Sequence, residues 1–90
     1  LFLAGHETTA LALTYTLYLL ARHPEAAERL RQEVERVVGD RLPGVEDLPR
    51  LKYAEQVVLE SMRLYPPAYA IGRQASEDCR LGGYRLEAGG

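Results

Sequence analysis

The stretch LFLAGHETTALALTYTLYLLAR, residues 1–22, decides how the chain must be read. It has the length of one long helix but is apolar nearly all round, since Leu11, Leu13, Leu17, Leu19 and Leu20 do not share one face. A helix of that kind is normally buried on every side inside a larger body. The segments that follow carry one apolar stripe each and cannot cover it. The chain, which opens on Leu1 instead of Met and closes on Gly89-Gly90, is therefore expected to be an internal piece, residues 1–90, of a single larger domain.

Composition agrees. Ninety residues with 47% apolar, 27% charged and a net charge of −2 describe one soluble unit or part of one. A chain this short buries roughly 60% of its unfolded surface, which leaves a marginal core unless staples, a cofactor or more polypeptide assist. Cys79 is the single cysteine, so an intrachain disulfide and a multi-cysteine zinc site are excluded, and a cytosolic compartment is the expectation. The ten Arg and Lys52 are interleaved with acids and form no basic block, which argues against nucleic acid as a partner. The longest run without charge or histidine, Thr8 to Ala21, falls short of the roughly 18 apolar residues that span a bilayer.

His23-Pro24 ends the first helix and begins a second, about 24–38, because proline suits a first helical turn and disfavours helix in the residue before it. Ala27, Leu30, Val34, Val37 and Val38 form its apolar face; the pairs Glu25/Arg29 and Glu33/Arg36 are expected on a solvated one. Gly39-Asp40 closes it, and a loop with a turn at Pro43-Gly44 reaches Pro49. A third helix, about 51–65, carries Ala54, Val57, Val58, Ser61, Met62 and Tyr65 on one stripe until Pro66-Pro67 stops it. Short strands are expected over 71–75 and 80–86, the second turning at Gly82-Gly83. The fold class is mainly α with a small antiparallel β element.

Two strings could carry chemistry. His6-Glu7-Thr8-Thr9-Ala10 begins like a zinc protease motif, but Ala10 stands where the second histidine must be. Either Thr8 or Thr9 caps a helix starting there, or Gly5 lies inside a helix, at a cost of about 1 kcal/mol against alanine. In the second case the absent side chain lets a flat cofactor or a diatomic ligand approach the backbone. A threonine hydroxyl can then bond the carbonyl one turn back, and an acid beside a hydroxyl can pass protons into a buried site. Glu60-Ser61-Met62-Arg63 is the other string. Its spacing recurs at Glu28/Arg31, Glu33/Arg36 and Glu77/Arg80, but only here do Val57, Val58, Leu59, Met62 and Leu64 surround it, so this pair is expected to be buried and the others exposed.

Together these strings resemble one family, the haem-thiolate monooxygenases of the cytochrome P-450 type. Ala4-Gly5-His6-Glu7-Thr8-Thr9 is similar to its oxygen-activation motif; Asp47-Leu48-Pro49 with Leu51 and Tyr53, then Glu60-x-x-Arg63-Leu64-Tyr65-Pro66-Pro67, is similar to the loop and helix bearing its ion pair. The resemblance covers essentially the whole chain and implies a partial cytochrome P-450 fold. It implies that Ala4 and Gly5 lie against haem b, that Thr8 bonds the iron-bound oxygen species and that Glu7 helps relay protons. It places Arg73 on a haem propionate, Glu60 and Arg63 in a buried structural network, and Ala68, Ala70 and Ile71 along a pocket for a hydrophobic substrate. The other implied partners are O2 and electrons from NAD(P)H through a ferredoxin or flavoprotein reductase.

The family's axial cysteine sits in a glycine-rich loop further downstream. Cys79, in Glu77-Asp78-Cys79-Arg80, lacks that loop's pattern and is read as an incidental surface thiol, so the fragment alone is expected to be inactive. Two other readings stay open: an autonomous helical interaction module, and a family member that isomerises or dehydrates oxygenated lipids. Arg in tenfold excess over Lys favours a soluble, cytoplasmic bacterial enzyme, with an N-terminal membrane anchor not excluded.

Overall fold

The structure, a computed structural model, describes residues 1–90. Helix α1 spans Phe2–Arg22, α2 Pro24–Val37 and α3 Lys52–Leu64; a 3-10 turn occupies Val45–Arg50, and strands β1, Cys79–Leu81, and β2, Tyr84–Leu86, close an antiparallel hairpin.

Local chemistry sets the ends of these elements. His23, at φ −127° and ψ 77°, leaves the helical region because Pro24 follows it, and Pro24 opens α2. Gly39, at φ +67°, ends α2 in the left-handed conformation, its N–H reaching back to the Val34 carbonyl. Pro66-Pro67 stops α3 after Leu64. Gly82 and Gly83, both at positive φ, form the hairpin turn, pairing Leu81 with Tyr84 and Cys79 with Leu86.

Several expectations are corrected. Helix α1 starts at Phe2, so Thr8 and Thr9 are interior residues and cap nothing. No strand forms over residues 71–75, because nothing lies opposite to pair with it; only Ala75 exchanges backbone bonds, with Gly89 and Gly90. Of the expected helix pairs, Glu28–Arg31 forms, but Arg29 lies over the Tyr53 ring instead of meeting Glu25, and Glu33 is buried and bonds the Tyr53 and Ala54 N–H groups instead of pairing with Arg36. On the hairpin, Arg85 pairs with Asp78 where Glu77 and Arg80 were expected to meet.

The segment read as a loop is organised by Asp47, only 1% exposed. Its carboxylate accepts both Arg41 guanidinium nitrogens and the Gly44 N–H, while Arg41 also donates to the Val37 carbonyl at the end of α2. The Arg41 hydrogen bond, then the Gly44 N–H, hold the Asp47 carboxyl far below the usual carboxylate range. A lowered folded pKa contributes stability that is complete above the unfolded value, about 3.9, and is lost as pH falls through the folded one. In the full-length protein, the gap in urea midpoint between wild type and Asp47→Asn should therefore be largest near neutrality and shrink below about pH 4. A gap independent of pH would show that the carboxylate's charge contributes nothing there.

The C-terminal half of α1 packs on α3 and α2. Thr16 and Ser61 are buried where these helices meet, and Tyr65 stacks on Tyr15 at 5.4 Å between centroids with Tyr18 edge-on at 6.4 Å. The N-terminal half of α1 packs on nothing: every residue from Leu1 to Ala10 is exposed. Val37 and Val38 are the only buried apolar residues. The accessible surface is 7753 Å², where a finished fold of this mass exposes about 5,300 Å². The radius of gyration is 19.3 Å, against about 12 Å for a compact chain of this length. Leu13 and Leu17 remain on the surface together with Leu1, Phe2 and Leu3, because α1 is apolar on more faces than α2 and α3 cover. No helix is long and apolar enough to cross a membrane.

Candidate functional site

Ala4, Gly5 and Thr8 share one side of the exposed half of α1, since residues three and four apart are neighbours on a helix. Thr8 Oγ1 donates to the Ala4 carbonyl at 2.8 Å, as Thr14 and Thr16 do to Ala10 and Ala12. With its proton engaged in that bond, the Thr8 oxygen presents its lone pairs outward, as an acceptor. A Cβ on Gly5 would meet nothing within 4 Å. Gly5 is the fourth residue of α1, in its first turn, and no contact inside the chain calls for a glycine there. Ala4 and Gly5 together offer a surface with no side chain larger than a methyl, which fits a flat group laid across it. Glu7 borders this stripe and is exposed.

The residues for haem fit on that one face. Cys79, the single thiol, is exposed at the start of β1. What this chain can contribute is the face and the hydroxyl beside it.

On α3, Glu60 and Arg63 meet as a bidentate pair, Nε to Oε2 and a terminal guanidinium nitrogen to Oε1, both 2.7 Å. Arg63 lowers the Glu60 carboxyl pKa and Glu60 raises that of Arg63, chiefly through this hydrogen bonding. The expected burial is absent: the side chains are 57% and 66% exposed. Only the side of α3 bearing Ser61 faces the other helices; of the apolar neighbours that predict burial, Val57 is half-buried, while Val58, Leu59, Met62 and Leu64 are themselves exposed. Glu60 instead borders an open cleft of about 420 Å³ between the three helices, lined also by Leu19, Leu20, Tyr53, Ser61 and Leu64.

Ala68, Ala70, Ile71 and Arg73 lie in the irregular stretch after α3, all exposed. Arg73 bonds the carbonyl of its own neighbour, Gly72, at 3.0 Å. Neither this cleft nor a second one beside Leu48, Leu51 and Leu59 includes any of the four.

Two polar anchors were missed by sequence reading. One is Asp47. The other is Glu33, 6% exposed, which accepts the N–H groups of Tyr53 and Ala54 at 2.8 and 2.9 Å. The Tyr53 bond is the main reason its carboxyl pKa is lowered. A signal was available: Glu33 stands three residues after Leu30 and four before Val37, within the apolar stripe of α2.

Comparison with known proteins bears on the whole of this arrangement. The family model for cytochrome P-450 matches residues 1–90. Cyclooctatin synthase of Streptomyces melanosporofaciens is 49% identical over 86 residues, 96% of this chain and 19% of that protein. The Arabidopsis thaliana protein LUTEIN DEFICIENT 5, chloroplastic, is 42% identical over 89 residues, 99% of this chain and 15% of that protein. A cytokinin hydroxylase of Arabidopsis thaliana is 50% identical over 82 residues, 90% of this chain and 16% of that protein. The chain thus spans less than a fifth of the length of these relatives. An exposed Gly5–Thr8 face, a bidentate pair on α3 and a family match running from the first residue to the last lead to one conclusion: the chain belongs to the cytochrome P-450 family.

Proposed function

We propose that the whole protein is a haem-thiolate monooxygenase that inserts one oxygen atom of O2 into a hydrophobic small molecule. The observation that carries this reading is the Ala4–Gly5–Thr8 stripe, where a glycine in the first turn of α1 leaves open space above it and a threonine oxygen beside it faces outward as an acceptor. Haem b supplies the reduction of dioxygen, with electrons from NAD(P)H delivered through a ferredoxin or flavoprotein reductase. Ala4 and Gly5 admit the flat group, Thr8 accepts a hydrogen bond from a protonated group placed over Gly5, and Glu7 on the same exposed half-helix exchanges protons with solvent. Arg73, free of any acid in this structure, is the cation offered to a haem propionate. Ala68, Ala70 and Ile71 contribute an apolar wall once the rest of the protein closes over them. Glu60 and Arg63 form a structural pair on α3 that further polypeptide covers.

The reading takes the axial thiolate from outside residues 1–90, as the resemblance implies, and assigns no activity to those residues alone. Turnover of the full-length protein under isotopically labelled dioxygen tests it. The product should carry one labelled oxygen atom. Product without label would overturn the monooxygenase reading and favour isomerisation or dehydration of a substrate already oxygenated.

A further inference from the structure

Helix α3 has no cap of its own. Leu51 precedes it and has no side chain that can accept a hydrogen bond, yet the first turn is not left unsatisfied. Glu33, reaching across from α2, takes the N–H of Tyr53 on one carboxylate oxygen and that of Ala54 on the other, over sequence separations of 20 and 21. One turn earlier on α2, the Arg29 guanidinium lies 4.3 Å from the centroid of the Tyr53 ring. Helix α2 therefore holds Tyr53 twice, by backbone and by ring. At the other end of α3, Tyr65 is held between Tyr15 and Tyr18 of α1.

A helix fixed at both ends by two different neighbours cannot turn about its own axis. That rotation decides where Glu60 and Arg63 point, because the six residue steps from Ala54 to Glu60 cover only about 9 Å of rigid helix. We propose that Glu33 is a positioning residue for the Glu60–Arg63 pair: by capping α3 from α2 it sets the rotation of the helix that carries the pair, and through it how firmly the whole protein retains haem. The proposal rests on the haem-binding reading above.

Haem transfer from the full-length protein to excess apomyoglobin tests it, in wild type, Glu33→Gln and Asp47→Asn, with urea midpoints measured alongside. Gln keeps the shape of Glu33 and one acceptor, but turns an NH2 toward the second N–H. Transfer from Glu33→Gln should be faster by about tenfold, the scale seen when a group that orients a ligand-bearing residue is lost. Amide exchange at Tyr53 and Ala54 should accelerate in the same variant. Asp47→Asn, which loses an equally buried carboxylate that touches no part of α3, should lose stability while releasing haem at the wild-type rate. Wild-type transfer from Glu33→Gln, or equal acceleration in both variants, would overturn the proposal. Should Glu33→Gln fail to accumulate, Arg29→Ala on the exposed face of α2 carries the same test with an expected acceleration of about threefold, and an unchanged rate there overturns it equally. A wild-type protein that holds no haem overturns the reading beneath the proposal too, whereas wild-type loading with unchanged transfer overturns the proposal alone.

Discussion

Full-length Arg63→Ala will accumulate little haem-loaded protein, about a tenth of wild type or less, whereas Glu28→Ala will accumulate it normally. The two sites form a matched comparison. Both pairs are bidentate at a spacing of three residues, with contacts of 2.7 to 2.9 Å, and in this chain both are about half exposed. If geometry within residues 1–90 were all that mattered, the two substitutions would behave alike, as exposed pairs contributing little. They differ in what surrounds them. Val58, Leu59, Met62 and Leu64 around the α3 pair are exposed and apolar, a surface that further polypeptide has reason to cover. Beside Glu28 lie Arg31, Gln32 and Glu35, already satisfied by one another and at home in water. Covering the α3 surface removes the pair from solvent, and Arg63→Ala then strands Glu60 as an unpaired buried charge. Equal haem-loaded yields from the two variants, measured by absorbance per protein, would show that α3 stays open in the whole protein.

What the sequence revealed and what it hid divide along one physical line. His23-Pro24, Pro66-Pro67 and Gly82-Gly83 act through the backbone of the residues themselves, and the ends of α1 and α3 and the hairpin turn lie where they dictate. The backward bond of Thr8 to Ala4 is of the same local kind, and so was foreseeable. Glu33 was read as one more surface acid because its partners, the N–H groups of Tyr53 and Ala54, lie some twenty residues away and become neighbours only when α2 and α3 pack. The 3-10 turn at Val45–Arg50 depends likewise on Arg41 folding back onto Asp47. The apolar residues around Glu60 and Arg63 identified a surface that requires covering; the step from that requirement to burial within these ninety residues failed, because one side of α3 is occupied by α1 and α2 and the other side faces solvent.

Thr8→Ala in the full-length protein will leave haem content and substrate affinity close to wild type while product formed per NAD(P)H consumed falls severalfold, the missing reducing equivalents leaving as hydrogen peroxide. The hydroxyl proton of Thr8 is committed to the Ala4 carbonyl, so what the side chain offers outward is an acceptor beside the open face of Gly5. Alanine removes that acceptor and leaves at least as much room for a flat group. Affinity therefore survives, and ordered proton delivery does not. Losing a backward hydroxyl bond also alters how a helix bends, and that ordinary effect must be separated from the loss of the acceptor. Thr14 provides the control, since it makes the same bond to Ala10 at the same 2.8 Å on an exposed stretch of the same helix, two turns away. Thr14→Ala should leave coupling unchanged, and Thr8→Ser, which restores the oxygen without the methyl, should recover most of it. A fall in coupling shared by Thr8→Ala and Thr14→Ala would assign the effect to the bend of α1, and unchanged coupling in Thr8→Ala would remove the hydroxyl from the proposed chemistry altogether.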